Sequence, residues 1–232
     1  MKIAVLFKGW HFKNINLIET LCVALVYVLT ARIGQYLAIE PGNVTPVWIP
    51  SGLMIALALK RGPQIWLGVF LGAFAGNAWA YFTLTSLSTS IAAIFAGVMN
   101  GIGDVLSIVL MAAFILHYTQ SGYPFTSLKH FSLYILFSVV LGSFISALFG
   151  VTGLYIFGFL PESNYFAVFS TWFIGDGVGA LIFGPLLLAW MQPIRKNKSH
   201  EFITLAGLVF ISGFATAFIF DLFTMEKWMV YL

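Results

Sequence analysis

The sequence predicts an all-α protein, a polytopic bundle of transmembrane helices. Of its 232 residues, 60% are hydrophobic and only 8% are charged, whereas soluble domains carry about 25% charged residues. The hydrophobic residues form about seven blocks, most of them near the ~20 residues that a helix needs to cross a bilayer. We therefore predict one integral-membrane domain over 1–232, with about seven spans, most of it in contact with lipid.

The seven predicted spans differ in length. In chain order they are predicted near 17–39, 44–60, 64–82, 87–117, 130–159, 165–190 and 202–222. The first has a basic flank but no small-residue cleavage site after it, so we interpret it as an uncleaved helix. The fourth and fifth run to about 30 residues, long enough to tilt or project past the lipid. The apolar tail after 226 predicts an eighth span or more in the full protein, so we expect a chain that stops before further helices and a cytoplasmic output domain.

Two prolines, Pro46 and Pro50, mark the start of the second span, which has only about 13 clean apolar residues. A proline disfavours helix at the residue before it but is well placed in the first turn of a helix. We predict that 46–50 is non-helical below the membrane surface and that a helix begins at about Pro50. Backbone of that kind must be buried in protein or line a wet cavity, and the helix start near Ser51 would offer N–H groups to an anion.

Lysine and arginine occupy alternate gaps between the blocks. They precede the first block and recur at 60–63, 118–129 and 191–201, while 40–44, 83–86 and 160–164 contain none. Short cationic loops stay in the cytoplasm, so the N-terminus and the three cationic loops are predicted to be cytoplasmic in a bacterial inner membrane. The segments 40–44, 83–86, 160–164 and 223–227 are predicted to lie outside. The net charge of +3 then reflects orientation and contact with the lipid bilayer, and nucleic acid is not expected as a partner.

Small residues recur at every fourth position on the third to sixth spans. Residues four apart share one helix face, so these runs predict close helix–helix packing. The runs are Gly68, Gly72 and Gly76; Gly97 and Gly101; Gly142, Ser146 and Gly150; and Gly175 and Gly179.

Four ionisable residues fall within the spans. A charge at the bilayer centre costs about 2.5–3.5 kcal/mol on insertion scales, so deep acids should face the bundle. Glu19 is close enough to the membrane–water interface to reach it, so we do not count it among the candidate functional residues. Two interpretations of the others stay open: a ligand, ion or proton site, or a structural polar clamp between helices. Depth along the spans brings the candidates to one pocket open to the outside, and the candidate ligand-binding residues are Asp176, Trp48, Ser51, Asn77, Asp104, Trp172 and Arg32.

The sequence has no catalytic or metal motif that we recognise. HExxH, CxxC, GxSxG and P-loop patterns are absent from it, so no catalytic residue, metal or cofactor is predicted, and we expect no enzyme activity in this chain. All four histidines fall near cytoplasmic ends, which argues against a transmembrane haem pair. With Cys22 as its single cysteine, the chain cannot form an internal disulfide.

Two motif clusters resemble the first membrane-associated sensor family of bacteria, type 1 of the MASE family. The first is Pro46-x-Trp48-x-Pro50-Ser51-Gly52, followed by Gly62 and by Trp66 to Ala73; the second is Trp172-x-x-Gly175-Asp176-x-x-Gly179, followed by Gly184 to Leu188. The resemblance implies an inner-membrane input module ahead of a histidine kinase (two-component) or a diguanylate cyclase (cyclic-di-GMP) output. It implies no catalytic residues and no particular ligand.

From the resemblance and the polar pocket together we expect a sensory domain that perceives a small-molecule ligand or a membrane-protein partner. A homodimer could form through the full-length protein. The alternative is a small-solute transporter, or its accessory subunit, that uses Asp104 and Asp176 as a proton or cation relay.

Overall fold

The computed structural model describes residues 15–36, 38, 44–82, 86–120 and 122–192. These ranges are almost entirely helical and contain no β-strand, which confirms the all-α prediction. The helices are α1 (Leu17–Gln35), α2 (Ile49–Arg61), α3 (Trp66–Tyr81), α4 (Leu87–Thr119), α5 (Leu128–Ile156) and α6 (Tyr165–Trp190). Short 3₁₀ turns precede α3 at Pro63–Ile65 and α6 at Glu162–Asn164.

The predicted count of seven spans is too high. Among the described residues, four helices are long and apolar enough to cross a bilayer: α1, α4, α5, and α6 with its preceding turn. Helices α2 and α3 have 13 and 16 residues, or about 20 and 24 Å, which falls short of the roughly 30 Å hydrocarbon core. The 13 residues of α2 agree with the short apolar stretch predicted after the non-helical lead-in, and α3 is shorter than its predicted span of 64–82. The predicted span at 202–222 lies outside the described residues.

The long helices α4 and α5 each contain a π-helical segment. In α4 it covers Leu106–Leu110, and in α5 it covers Ile135–Gly142. The two segments contact each other. A π-helical turn changes the direction in which the following side chains point and is frequent at functional sites. Nothing in the apolar pattern of the sequence indicates either segment.

The glycine runs on α3 and α4 form helix interfaces, as predicted. A Cβ added to Gly72 on α3 would lie 2.5 Å from the Cβ of Tyr27 on α1, and one added to Gly97 on α4 would lie 2.8 Å from the Cβ of Ala78 on α3. Real side chains do not approach so closely, so glycine is required where these backbones cross. Helix α4 packs in turn on α5, and α5 packs on α6.

Gly175 and Gly179 have a different partner, the non-helical segment 44–48 that leads into α2. The amide of Trp48 donates to the Gly175 carbonyl at 2.9 Å, and a Cβ on Gly179 would lie 1.9 Å from the Trp48 carbonyl oxygen. Gly175 is ten residues into α6, about 15 Å along its axis. The lead-in therefore runs down the side of α6, and α2 begins deep in the bundle.

The predicted non-helical lead-in is confirmed for 46–48, and the helix start is close to the predicted residue. Helix α2 begins at Ile49 with Pro50 in its first turn, so residues 49 and 50 are helical where the sequence predicted extended chain. A proline in the first turn loses no hydrogen bond. From this start α2 runs parallel to α6, since Trp48 lies at Gly179 and Ile55 at Gly184, and the two helices share one of the two most extensive helix–helix contacts in the described part of the chain.

Contacts between helix ends show which helix ends and loops lie together at each end of the bundle. At the first, which we call the basic end, Arg61 pairs with Glu19 at 2.6 Å, and Lys60 lies 5.9 Å from the ring centroid of Tyr123. At the opposite end, the Gln35 amide donates to the Gly76 carbonyl at 2.8 Å, and Phe95 stacks on Phe157. The described cationic loops thus share one end, as the alternation of charges requires.

Cysteine labelling in intact cells tests which end faces the cytoplasm. In a Cys22→Ala background, we expect Glu162→Cys to react with a membrane-impermeant maleimide and Lys129→Cys to react only after permeabilisation. Both positions are exposed, so a difference in labelling reports sidedness. Labelling of Lys129→Cys from outside would reverse the orientation derived from the cationic loops.

Candidate functional site

A buried hydrogen-bond network surrounds Asp104 on α4. Its Oδ2 accepts from the Tyr27 hydroxyl of α1, and its Oδ1 accepts from the Ser146 hydroxyl of α5 at 2.8 Å. The Trp48 indole donates to the Tyr27 oxygen at 3.2 Å. Asp104 therefore connects α1, α4 and α5 with the lead-in to α2. Because both its oxygens accept hydrogen bonds, this carboxyl is satisfied by the protein.

Asp176 on α6 is the second buried acid, and it is only half satisfied. Its Oδ1 accepts from the Ser51 hydroxyl, while its Oδ2 is buried without a hydrogen-bond partner in the described ranges. Ser51 is in the first turn of α2, where the helix dipole favours negative charge. The sequence predicted that this helix start would attract an anion, and the protein's own Asp176 carboxyl lies there.

The two acids form one site. The charge of Asp104 acts on Asp176, and Ser146 and the Trp172 indole approach the Asp176 carboxyl without completing a hydrogen bond to Oδ2. Among the described residues, Tyr27 is the other ionisable group that interacts with the pair. Each unpaired charge buried in a low dielectric costs several kcal/mol. Two uncompensated negative charges would therefore be strongly unfavourable at this site.

A small cavity lies beside the acid pair at the end opposite the basic end. It is lined by Gln35, Val44, Thr45, Trp48, Asn77, Ala80, Tyr81 and Trp172. It leaves about 20 Å³ for the centres of water molecules, which is room for about one water. Trp48 belongs both to this lining and to the Asp104 network, so the cavity adjoins the acids.

The structure brings six of the seven predicted residues together and places the seventh, Arg32, one hydrogen bond away from the cavity lining. Trp48, Asn77 and Trp172 line the cavity, while Ser51, Asp104 and Asp176 form the network next to it. Arg32 contacts the cavity lining and has no hydrogen bond to either acid among the described residues. Its guanidinium stacks 4.5 Å from the ring centroid of Trp79 and donates to the Gln35 Oε1 at 2.9 Å. A ligand-binding role for these residues stays a prediction.

Sequence reasoning missed three members of the site: Tyr27, Ser146 and Gln35. Tyr27 looked like an apolar member of its span, and its hydroxyl was the signal that it could donate to a buried acid. Ser146 was assigned to a small-residue packing run, and its hydroxyl was the signal that it could also donate.

Asn100, one turn before Asp104 on α4, has a buried Oδ1 without a partner in the described part of the chain.

The helical bundle and its buried polar site define an integral-membrane domain. The chain matches the MASE1 family, membrane-associated sensor domain 1, over residues 19–231, which is nearly its whole length. The chain therefore belongs to this family, whose members are membrane sensor domains found in signalling proteins such as histidine kinases and diguanylate cyclases. No curated protein and no solved structure matches the chain.

Proposed function

We propose that this sensor domain lies in the bacterial inner membrane and perceives a small ligand through the cavity and the acid pair. It passes the signal to an output module in the cytoplasm. The observation that carries the proposal is the junction at Trp48. This residue lines the cavity and donates a hydrogen bond into the Asp104 network. Occupancy of the cavity can therefore change a set of hydrogen bonds that joins several helices.

Helix α6 provides the path from this site to the basic end. It carries Trp172 at the cavity, Asp176 one turn further on, and Trp190 at its last residue, about 27 Å from Trp172 along the axis. Pro185 lies inside the helix and removes one backbone hydrogen bond, which creates a point where the helix can bend.

The Asp176–Ser51 bond joins α6 to α2. A ligand that alters this bond would shift α2 against α6, provided that it binds the two packings with different affinity.

The buried acids also favour an alternative, a small-solute transporter or its accessory subunit. Intramembrane acids in a bundle are typical of proton and ion relays. Accumulation of solute in proteoliposomes that contain the purified protein would support transport. Control of a kinase or cyclase without accumulation would support sensing.

Filling the cavity tests the sensing proposal. Ala80 lines the cavity, and Ala80→Phe should occupy the space for a water-sized ligand. We compare growth conditions that change the output of the wild-type full-length protein. In the Ala80→Phe variant, we expect that response to be smaller by about fivefold or more. The measurement is a reporter assay with membrane abundance checked by immunoblot.

Ala75→Phe is the matched control, because Ala75 is exposed on the same helix. It should respond like the wild type. A normal response from Ala80→Phe at normal abundance would contradict a role for the cavity.

A further inference from the structure

We propose that Asp104 and Asp176 together bind one exchangeable monovalent cation, a proton or Na⁺, and that this cation is the ligand of the sensor. The inference rests on the proposed function, because it names the ligand class of the same site. Its first basis is charge. Two adjacent carboxyl groups are buried in the middle of a helical bundle, where like charges destabilise each other and each lacks solvent.

No cationic side chain in the described ranges compensates these acids. Arg32 stacks on Trp79 away from the pair, and Arg61 pairs with Glu19 at the basic end. Helix α1 presents Tyr27, α4 and α6 present the acids themselves, and α2 and α5 present only the hydroxyls of Ser51 and Ser146. A bound cation would supply the missing positive charge.

A free acceptor atom shows where the cation would bind. Asp176 is 1% exposed, yet its Oδ2 has no hydrogen-bond partner in the described part of the chain. Buried polar atoms in proteins are almost always satisfied, so such an atom calls for an explanation. The Asn100 Oδ1, one turn from Asp104, is buried and unsatisfied as well. Both atoms are oxygens with free lone pairs. The carboxyl oxygen can take up a proton, and either oxygen can bind a hard cation.

The chemistry and size of the site favour a monovalent cation over other ligands. Its groups are carboxylates, hydroxyls and a phenol, which suit hard cations and not soft transition metals. Within the described residues, no group of three or more His, Cys, Asp or Glu side chains could hold a metal ion, so the two carboxylates lack the additional ligands of these types that transition-metal sites use. The adjoining cavity of about 20 Å³ admits a water or a small ion but excludes an organic ligand unless the bundle rearranges.

Carbodiimide labelling of the purified chain in lipid nanodiscs tests the proposal. Dicyclohexylcarbodiimide modifies protonated carboxyl groups in apolar surroundings, and peptide mass spectrometry locates the adduct. We expect labelling of Asp176 or Asp104 to fall about tenfold per pH unit once the site releases its proton. At a fixed pH, protection by Na⁺ but not by choline would identify Na⁺ as a ligand, whereas a pH response that Na⁺ leaves unchanged would identify the proton alone. Labelling that depends on neither pH nor Na⁺ would overturn the proposal.

A second measurement covers the case in which the reagent does not reach the acids. The thermal unfolding midpoint of the wild type should change with pH or with Na⁺, because a ligand that binds only the folded state stabilises it. Asp176→Asn should lose that dependence, and Glu162→Gln, which alters an exposed acid, should keep it. The same dependence in Asp176→Asn and the wild type would remove the cation site.

The two proposals fail in different ways. Cation binding with normal signalling in Asp176→Asn would leave the site standing and contradict its role in sensing. Loss of signalling without any cation binding would contradict only the ligand named here.

Discussion

Asp176→Ala should abolish the response of the full-length protein while the protein still inserts into the membrane. The substitution removes the bond between α6 and α2 through Ser51 and deletes the unsatisfied oxygen of the acid pair. Coupling between a ligand site and an output is typically worth about 1–3 kcal/mol, so the response should fall by roughly 5–150-fold. A reporter assay normalised to membrane abundance measures the effect.

Three further variants separate the interpretations of Asp176. Asp176→Asn keeps an oxygen that can accept from Ser51, so it should preserve the response if the residue is a neutral clamp and fail like alanine if its charge or proton matters.

Asp104→Ala should impair signalling less but lower abundance, because Asp104 accepts from both Tyr27 and Ser146. Glu19→Ala breaks only a partly exposed pair with Arg61, worth up to about 1 kcal/mol, and should behave like the wild type.

A normal response of Asp176→Ala at normal abundance would contradict the site assignment. Asp176 would then have only a packing role.

Gly179→Ala should destabilise the domain severely, by about 3 kcal/mol. The new Cβ would lie 1.9 Å from the backbone carbonyl oxygen of Trp48, and neither backbone can move away without breaking the contact between the lead-in and α6. The loss should appear as a lower thermal unfolding midpoint in detergent and as reduced abundance in the membrane.

Gly177→Ala is the matched control for this prediction. It lies on the same helix, but its added Cβ would be 3.4 Å from the nearest atom, the Val139 carbonyl oxygen, which is an ordinary contact. Alanine favours helix over glycine by about 1 kcal/mol, so this variant should be as stable as the wild type or slightly more stable. Equal stability of the two variants would contradict the close packing of the lead-in on α6.

Patterns that are local in the chain determined the class of the protein and the order of its parts. Apolar blocks predicted an all-α membrane bundle, and the alternation of cations predicted that the described cationic loops share one end, where Arg61 does meet Glu19. The prolines placed the start of α2 within one residue of Ile49. Glycine spacing predicted the interface that Gly72 forms with Tyr27. Each of these signals depends on neighbours in sequence, so the chain alone contains it.

The tertiary structure alone decided which groups meet. It made the partner of Gly179 an extended segment instead of a helix, gave Asp104 its donors Tyr27 and Ser146, and separated Arg32 from the acids. It also limited α3 to 16 residues, about 24 Å, which is shorter than the hydrocarbon core that its apolar block was predicted to cross. A helix's period indicates which residues share a face, but not how far that helix rotates or slides against its neighbours. Those two quantities are set by the packing of all the helices together, because close-packed side chains tolerate few alternative arrangements.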